Sequence, residues 1–412
     1  MKHDLAKEGW IGRWIWLDAH PGDRTNRTVH FRRFFHLAKD QKILLRVTAD
    51  TRYRLWLNGV WIGDGPGRAW PERYGYHVLD VTSRTSVGEN RLDIWVTHYG
   101  AGTFQTINAE PGLLCEVWTG GTLVAASDET WQARPVPELE SRVPRFGCQM
   151  GFEETFDARK AGEGTWMPTG VAREVLSDSH QNLQHLDLPP MTRDPRSFAG
   201  PVRMDRVRPM TWSTTLRRDE CFHANFGSSA ICRQSGLLRA AFSVHQHALI
   251  TWRCNFAAHS LLVNGQLLSW EEGSWQEGVR TARCRVAPGA HILTVLVCNE
   301  DNINDILLGC HADDDGGFTL ITDDEGVRWR MGAMEGGADE LQRVVAEGAD
   351  IPLQPLPVAA EAVSSPSFEI RCAFPDGSMP AVSGQGDLVL RTVGPEAVLA
   401  MYDLGEMSVG YL

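Results

Sequence analysis

A chain of 412 residues exceeds what one hydrophobic core organises, so two or three domains are expected. Its 42% hydrophobic and 22% charged content is ordinary for a soluble globular protein, and a net charge of -12 without a basic stripe argues against a nucleic-acid partner. No apolar run approaches the roughly 20 residues a membrane helix needs. Residues 1–8 lack the apolar stretch of a secretory leader, so no membrane partner and a cytoplasmic location are expected.

In chain order, nearly every segment reads as strand. Residues 41–48 alternate and are rich in Ile, Leu and Val. Residues 53–57 and 60–62 flank Asn58-Gly59, the strongest short hairpin signal. A short strand is expected over 78–81 and an alternating one over 91–97; 113–118 and 122–126 then flank Gly120-Gly121. Residues 144–159 read as a loop entering a late strand that pairs near 31–37. Pro189, Pro190, Pro195 and Pro201 mark a linker. A second linker carries Pro352, Pro355, Pro357 and Pro366, and strands at 387–392 and 398–402 follow it. The single helix expected is a short one over 338–347.

The pattern is written twice. Tyr53-Arg54-Leu55-Trp56-Leu57-Asn58-Gly59 returns as His259-Ser260-Leu261-Leu262-Val263-Asn264-Gly265. The strand opening Gly88-Glu89-Asn90-Arg91-Leu92 returns as Gly289-Ala290-His291-Ile292-Leu293. A third pair ends in Asp128-Glu129-Thr130-Trp131 and in Asp324-Glu325-Gly326-Val327-Arg328-Trp329. Regular short strands between turn signals predict an all-β sandwich, here present in two copies. The expected boundaries are 1–180 for the first sandwich, 181–215 for a linker, 216–333 for the second sandwich, 334–385 for a second linker and 386–412 for the start of a third β unit.

The nine cysteines are scattered, with no Cys-x-x-Cys and no zinc spacing. Cys115, Cys254, Cys284 and Cys298 lie in apolar strand patterns and are read as buried free thiols of a reducing compartment. Fifteen tryptophans are the one compositional excess. Most are expected in the cores; a few in loops could serve as sugar platforms, because a flat ring offers contact area at low entropic cost.

Two loops combine such rings with polar groups. Asp64, Arg68, Trp70 and Tyr74 lie in the first copy, and Trp270, Glu271 and Trp275 in the equivalent part of the second. Both are candidate carbohydrate sites, with an interdomain contact as the alternative for the first and loop decoration for the second. Other motifs are weaker. In a strand, Glu153 and Glu154 point to opposite faces, so they cannot act together on one substrate; Glu154 with Asp157 and Arg159 reads as a structural ion pair. Asp313-Asp314-Asp315 clusters oxygens that could hold Ca2+, but lacks EF-hand spacing, and an acidic turn is expected. His245 and His247 read as two residues on one strand face rather than metal ligands. The glycines at 63, 65 and 67 are not a dinucleotide fingerprint, and Gly227-Ser228-Ser229 is not a nucleophile elbow. No catalytic residue, resident metal or other cofactor is assigned.

Thr48-Ala49-Asp50-Thr51-Arg52-Tyr53-Arg54-Leu55-Trp56-Leu57-Asn58-Gly59, then Gly63-Asp64-Gly65-Pro66, Leu79-Asp80-Val81-Thr82 and Glu154-Thr155-Phe156-Asp157-Ala158-Arg159, resemble the N-terminal sandwich of bacterial α-L-rhamnosidase-like proteins, glycoside hydrolase family 78. Tyr402-Asp403-Leu404-Gly405 with Gly410 resembles the opening of the next sandwich in such enzymes. The resemblance implies two tandem jelly-roll, galactose-binding-like sandwiches. It also implies that the chemistry, a pair of carboxylates, belongs to a helical (α/α)6 barrel that residues 1–412 do not supply, so the chain is expected to be truncated or a piece. The expected function is that of a non-catalytic accessory region of a rhamnosidase-like enzyme. It would position the barrel, hold a rhamnose-containing glycan or form a homodimer surface. The alternatives are a stand-alone carbohydrate-binding protein and a purely structural oligomerisation module.

Overall fold

The structure is a computed structural model that describes residues 9–17, 25–39, 41–68, 70, 73–103, 106–107, 109–143, 151–171, 182–187, 203–217, 221, 234–255, 258–271, 279–298, 305–313, 317–335, 337–346, 351–356, 372–378 and 397–401. The chain is all-β in its sheets and divides into two compact units. Unit 1 comprises Met1–Ser141 with Phe146–Pro190, and unit 2 comprises Arg142–Arg145 with Met191–Leu412. No helix among the described residues is long and apolar enough to cross a membrane.

Unit 1 is built from β1 (Ile15–Trp16), β2 (Arg27–Leu37), β3 (Ile43–Asp50), β4 (Arg52–Leu57), β5 (Val60–Gly65), β6 (Tyr74–Asp80), β7 (Gly88–His98), β8 (Gly112–Thr119), β9 (Thr122–Ala126), β10 (Gln132–Pro135), β11 (Met167–Pro168), β12 (Gly170–Val171) and β13 (Leu183–His185). One sheet runs β12-β1-β8-β3-β6-β13, with β9 also on β8; the other runs β11-β10-β2-β7-β4-β5. Each strand alternates, and one set of side chains enters a shared core: Val47 and Val117 from the first sheet meet Phe31, Leu55 and Ile94 from the second.

Unit 2 contains β14 (Arg203–Pro209), β15 (Trp212–Leu216), β16 (Gln234–Val244), β17 (Ala248–Asn255), β18 (Ala258–Val263), β19 (Gln266–Leu267), β20 (Val279–Val286), β21 (Gly289–Cys298), β22 (Ile306–Ala312), β23 (Thr319–Ile321), β24 (Trp329–Glu335), α1 (Ala338–Ala346), β25 (Gln354–Pro355), β26 (Cys372–Ser378) and β27 (Ala397–Met401). One sheet runs β15-β22-β17-β20 and the other β19-β18-β21-β16-β24-β25, with β23 also on β16. Strand for strand these repeat β1-β8-β3-β6 and β5-β4-β7-β2-β10-β11, so the duplication seen in the sequence is a duplication of topology. The core holds Phe242, Trp252 and Phe318, with Phe242 and Phe318 stacked at 5.1 Å. The helix expected over 338–347 is α1, and it packs Leu341 onto Leu237, Leu262 and Leu296.

The hairpin asparagines do more than turn the chain. Asn58 (φ 52°) and Gly59 (φ 79°) take the left-handed conformation, as do Asn264 (φ 52°) and Gly265 (φ 80°), which is the type I′ geometry that matches strand twist. The Asn58 carboxamide oxygen accepts the Arg91 N–H at 2.9 Å, and the Asn58 N–H donates to the Arg91 carbonyl at 2.8 Å. Asn264 makes the same two bonds with Ile292, at 2.9 and 2.8 Å. In each copy one asparagine thus pins its hairpin to the strand alongside.

The outer face of the first sheet of unit 1 buries a charged pair. Arg46 and Glu116, opposite each other on β3 and β8, are bonded at 2.7 Å with both side chains at 0% exposure. The Ile11 and Gly12 N–H groups and the Trp118 indole N–H complete the shell of Glu116, and the Trp10 ring lies 3.8 Å from the Arg46 guanidinium carbon. The N-terminal segment therefore seals this face.

Some sequence expectations are corrected. Beside β7, the strand that pairs with β2 is β10, joining Gln132–Pro135 to residues 32–29, and none of the described residues 151–159 does. Within 151–159, Phe156 bridges to Leu139, and residues 144–150 lie outside the described set. The Glu154 carboxylate pairs with Arg54 instead of joining Asp157 and Arg159, which bind each other at 2.8 Å. His245 and His247 sit in the connection between β16 and β17, not on a strand face. The stretch 181–215 contains β13, β14 and the start of β15; β14 pairs with β26 and with β27, the strand expected at 398–402, because exposed strand edges demand partners. The strand expected at 387–392 lies outside the described residues. Cys115 and Cys254 are buried free thiols and Cys284 a half-buried one; burial pushes Cys254 up to about 12.

Two substitutions test these constraints by urea denaturation. Asn58→Gly keeps the turn conformation but loses the side-chain bonds, and is expected to cost about 1 kcal/mol; Asn58→Ala adds a left-handed penalty of about 1 kcal/mol. Glu116→Ala strands Arg46 without its buried counter-charge and is expected to cost about 3–5 kcal/mol.

Candidate functional site

The loop residues chosen from the sequence do not converge. Asp64 lies on β5 opposite Arg54, half-buried. Its charge acts on a neighbouring pair, the Tyr53 hydroxyl and His77 Nδ1, which are 2.6 Å apart. Arg68 is exposed and Trp70 is 63% exposed, in a turn closed by the Arg73 N–H on the Trp70 carbonyl. Tyr74 faces the opposite way in function: its hydroxyl donates to the Ala49 carbonyl at 3.0 Å and approaches Asp50 at 3.5 Å. It is a sheet-locking residue rather than a loop ligand.

In the second copy, Trp270 bridges to Ala282, packs on the core and donates its indole N–H to the His259 carbonyl at 3.3 Å. Glu271 pairs with Arg283 at 3.2 Å. Trp275 lies outside the described residues, as do Asp314 and Asp315 of the Ca2+ expectation. No group of three or more metal-ligating side chains occurs among the described residues.

What the sequence reading missed is the outer face of the second sheet of unit 1. Tyr53, Leu55 and Leu57 of β4 point into the core, so Arg54 and Trp56 point out; Leu92, Ile94 and Val96 of β7 likewise send Asp93 and Trp95 out. Strand order then lines up a continuous run of rings. Trp61 on β5 meets Trp56 on β4 at 5.0 Å, Trp56 meets Trp95 on β7 at 5.5 Å, and Trp95 meets His30 on β2 at 5.8 Å. Trp166, just before β11, meets His30 at 4.8 Å, and Arg32 lies over its ring at 4.3 Å. All four indoles are half-buried.

Asp93 organises the polar part of this face. Its carboxylate accepts from His30 at 2.8 Å, Arg32 at 2.6 Å and Arg91 at 2.7 Å. Burial pushes its pKa up, but the hydrogen bonds from His30 and Arg32 and their charges outweigh that and hold it at about 2. Burial lowers the His30 pKa against the pull of Asp93. Beside this hub, Arg54 holds Glu154. The face therefore presents rings flanked by fixed charged pairs.

No protein-family model and no curated protein matches the chain. Among solved structures, the family 78 rhamnosidase of Bacillus sp. GL1 aligns with a TM-score of 0.66 and 23% identity, over 80% of this chain and 36% of the enzyme. The α-L-rhamnosidase of Aspergillus terreus aligns with a TM-score of 0.32 and 15% identity, over 74% and 36%. A Pleurotus ostreatus lectin aligns with a TM-score of 0.25 and 16% identity, over 78% and 83%. The first likeness establishes a shared fold with a family 78 rhamnosidase, of whose length this chain spans 36%. The two looser overlaps add nothing to that.

The Asp93 hub has a pH signature. A carboxyl at about 2 when folded and near 3.8 when unfolded contributes stability that is present above pH 4 and is lost as pH falls through 2. His30, with its folded pKa lowered, acts in the same direction from about pH 6.5 downward, since the unfolded chain binds the proton first. Denaturation midpoints measured from pH 7 to 2 are expected to fall throughout, and Asp93→Asn is expected to flatten the part below pH 4.

Proposed function

We propose that this chain is a non-catalytic accessory β-sandwich region of an α-L-rhamnosidase-like glycoside hydrolase, and that it meets carbohydrate. The observation that carries this is the extent of the likeness: 80% of this chain follows 36% of the Bacillus enzyme at a TM-score of 0.66. The chemistry of the described residues supports a non-catalytic part. Glycoside hydrolysis uses one carboxyl group as acid and a second as base or nucleophile, both open to substrate. Four of the five buried carboxylates among the described residues are spoken for: Asp50 by His98, Asp93 by His30 and Arg32, Glu116 by Arg46 and Glu138 by Arg134. Each turns its oxygens to an arginine or histidine of the same unit.

In this reading hydrolysis of α-L-rhamnosides belongs to the complete enzyme, and the sandwiches contribute placement of the glycan. The purified 412-residue chain incubated with an aryl α-L-rhamnoside is expected to release no phenol above the buffer blank. Sustained turnover that scales with protein concentration would overturn the proposal.

A further inference from the structure

The two copies treat one sheet face differently, and the difference points to a ligand. Trp56 stands two places before Asn58, as Leu262 stands two before Asn264; Trp95 stands four after Arg91, as Leu296 stands four after Ile292. His30 pairs with Trp95 across the ladder, as Leu237 pairs with Leu296. The trio His30, Trp56 and Trp95 in unit 1 therefore occupies the positions of Leu237, Leu262 and Leu296 in unit 2.

In unit 2 that trio is covered. Helix α1 lays Leu341, with Val345 beside it, on the three leucines, and Leu341 is 0% exposed. An apolar helix face on an apolar sheet face needs no polar chemistry. In unit 1 no α-helix occurs among the described residues; the matching positions carry two half-buried indoles and a buried imidazole, His30, which Trp166 caps at 4.8 Å. Between them lie a carboxylate with three cationic or imidazole partners and the Arg54–Glu154 pair. Such a surface is poorly suited to a leucine-rich helix, because burying its ion pairs under aliphatic groups would desolvate them without compensation. It suits an occupant with apolar C–H faces and a rim of hydroxyls, each able to donate and accept.

We propose that the outer face of the sheet β11-β10-β2-β7-β4-β5 is a binding face for a linear neutral oligosaccharide, with Trp61, Trp56 and Trp95 as the stacking rings and with Arg32, Arg91 and the Arg54–Glu154 pair as hydrogen-bonding rim. The spacing favours a chain over a single sugar. Ring centroids 5.0 and 5.5 Å apart, on successive strands, place consecutive indoles about one pyranose ring from each other. The ring planes turn by 82° and 59° along the row, so the surface is ridged and fits a soluble, twisting chain rather than a flat crystalline lattice. This inference rests on the carbohydrate-meeting part of the proposed function and is independent of which glycosidic bond the complete enzyme breaks.

The test uses the whole chain. Cellohexaose, xylohexaose, mannohexaose and, as monosaccharide control, L-rhamnose are titrated by calorimetry while indole fluorescence is followed. At least one hexasaccharide is expected to bind about tenfold or more tightly than its own monosaccharide and to perturb the emission. Trp56→Ala and Trp95→Ala are each expected to weaken it about tenfold. Trp56→Leu and Trp95→Leu install the residue that the second copy tolerates at the same position, so they guard against misfolding and are expected to weaken binding equally. Absence of binding to all three hexasaccharides, binding that survives both leucine variants, or a concentration-dependent dimer that Trp56→Leu dissolves would each overturn the proposal. Turnover of an aryl rhamnoside with hexasaccharide binding intact would remove the accessory-region reading and leave this one standing.

Discussion

The hydrogen bonds between the hairpin asparagine and the neighbouring strand set the terms for everything else in both units. Asn58 fixes β4 against β7 through Arg91, and Asn264 fixes β18 against β21 through Ile292. Side chains alternate along a strand, so a slip of one residue would turn each inward position outward. Leu55 and Leu57 would leave the core, and Trp56 would enter it. A turn conformation alone cannot prevent that, because the turn sets the pairing of β4 with β5 and not that of β4 with β7. The carboxamide bonds name one partner residue, and with it which face each tryptophan takes. Asn90 extends the device in unit 1: its side chain accepts from Asn58 at 2.9 Å and ties back to the Ser86 carbonyl at 2.7 Å.

With the register held, the two copies are free to differ in what covers their sheets. Three solutions occur in this one chain. The first sheet of unit 1 buries Arg46 and Glu116 under the N-terminal segment, whose backbone N–H groups satisfy the carboxylate. The second sheet of unit 2 is covered by α1 on leucines. The second sheet of unit 1 keeps half-buried tryptophans. Each solution follows from the chemistry at equivalent positions. A charged pair needs donors and acceptors above it, a leucine patch needs only apolar contact, and a mixed indole and ion-pair face is satisfied by water or by a hydroxyl-rich ligand.

Much of this was legible in the sequence because the signals are local. Asn-Gly encodes two left-handed residues, and Leu55, Leu57, Leu92 and Ile94 announce their inward face by alternation. The strand β10 was not legible, since four residues carry little periodicity, and the partner of β2 was sought at 144–159 instead. The site residues are a different case. Loop composition singled out Tyr74, whose hydroxyl is claimed by a carbonyl 25 residues away, a relation that only the folded β3–β6 pairing creates. The tryptophans that matter were visible at outward positions of strong strands, but an excess of tryptophan is read by default as core.

Asp93 explains why the aromatic face is more than a by-product of sheet packing. Cross-strand aromatic pairs stabilise a sheet wherever they meet, and a row of indoles alone would be accounted for by that. A carboxylate placed among them, directly opposite Arg32 and beside Trp56, works against simple apolar packing and requires its cations to be held in turn. Arg91, one of those cations, is also the residue whose backbone the Asn58 carboxamide grips. The clamp that sets the register and the hub that orders the polar rim therefore meet at a single residue. Any occupant of the face reads a pattern of donors and acceptors that is fixed before it arrives, and fixed groups confer orientation on a ligand at less entropic cost than mobile ones.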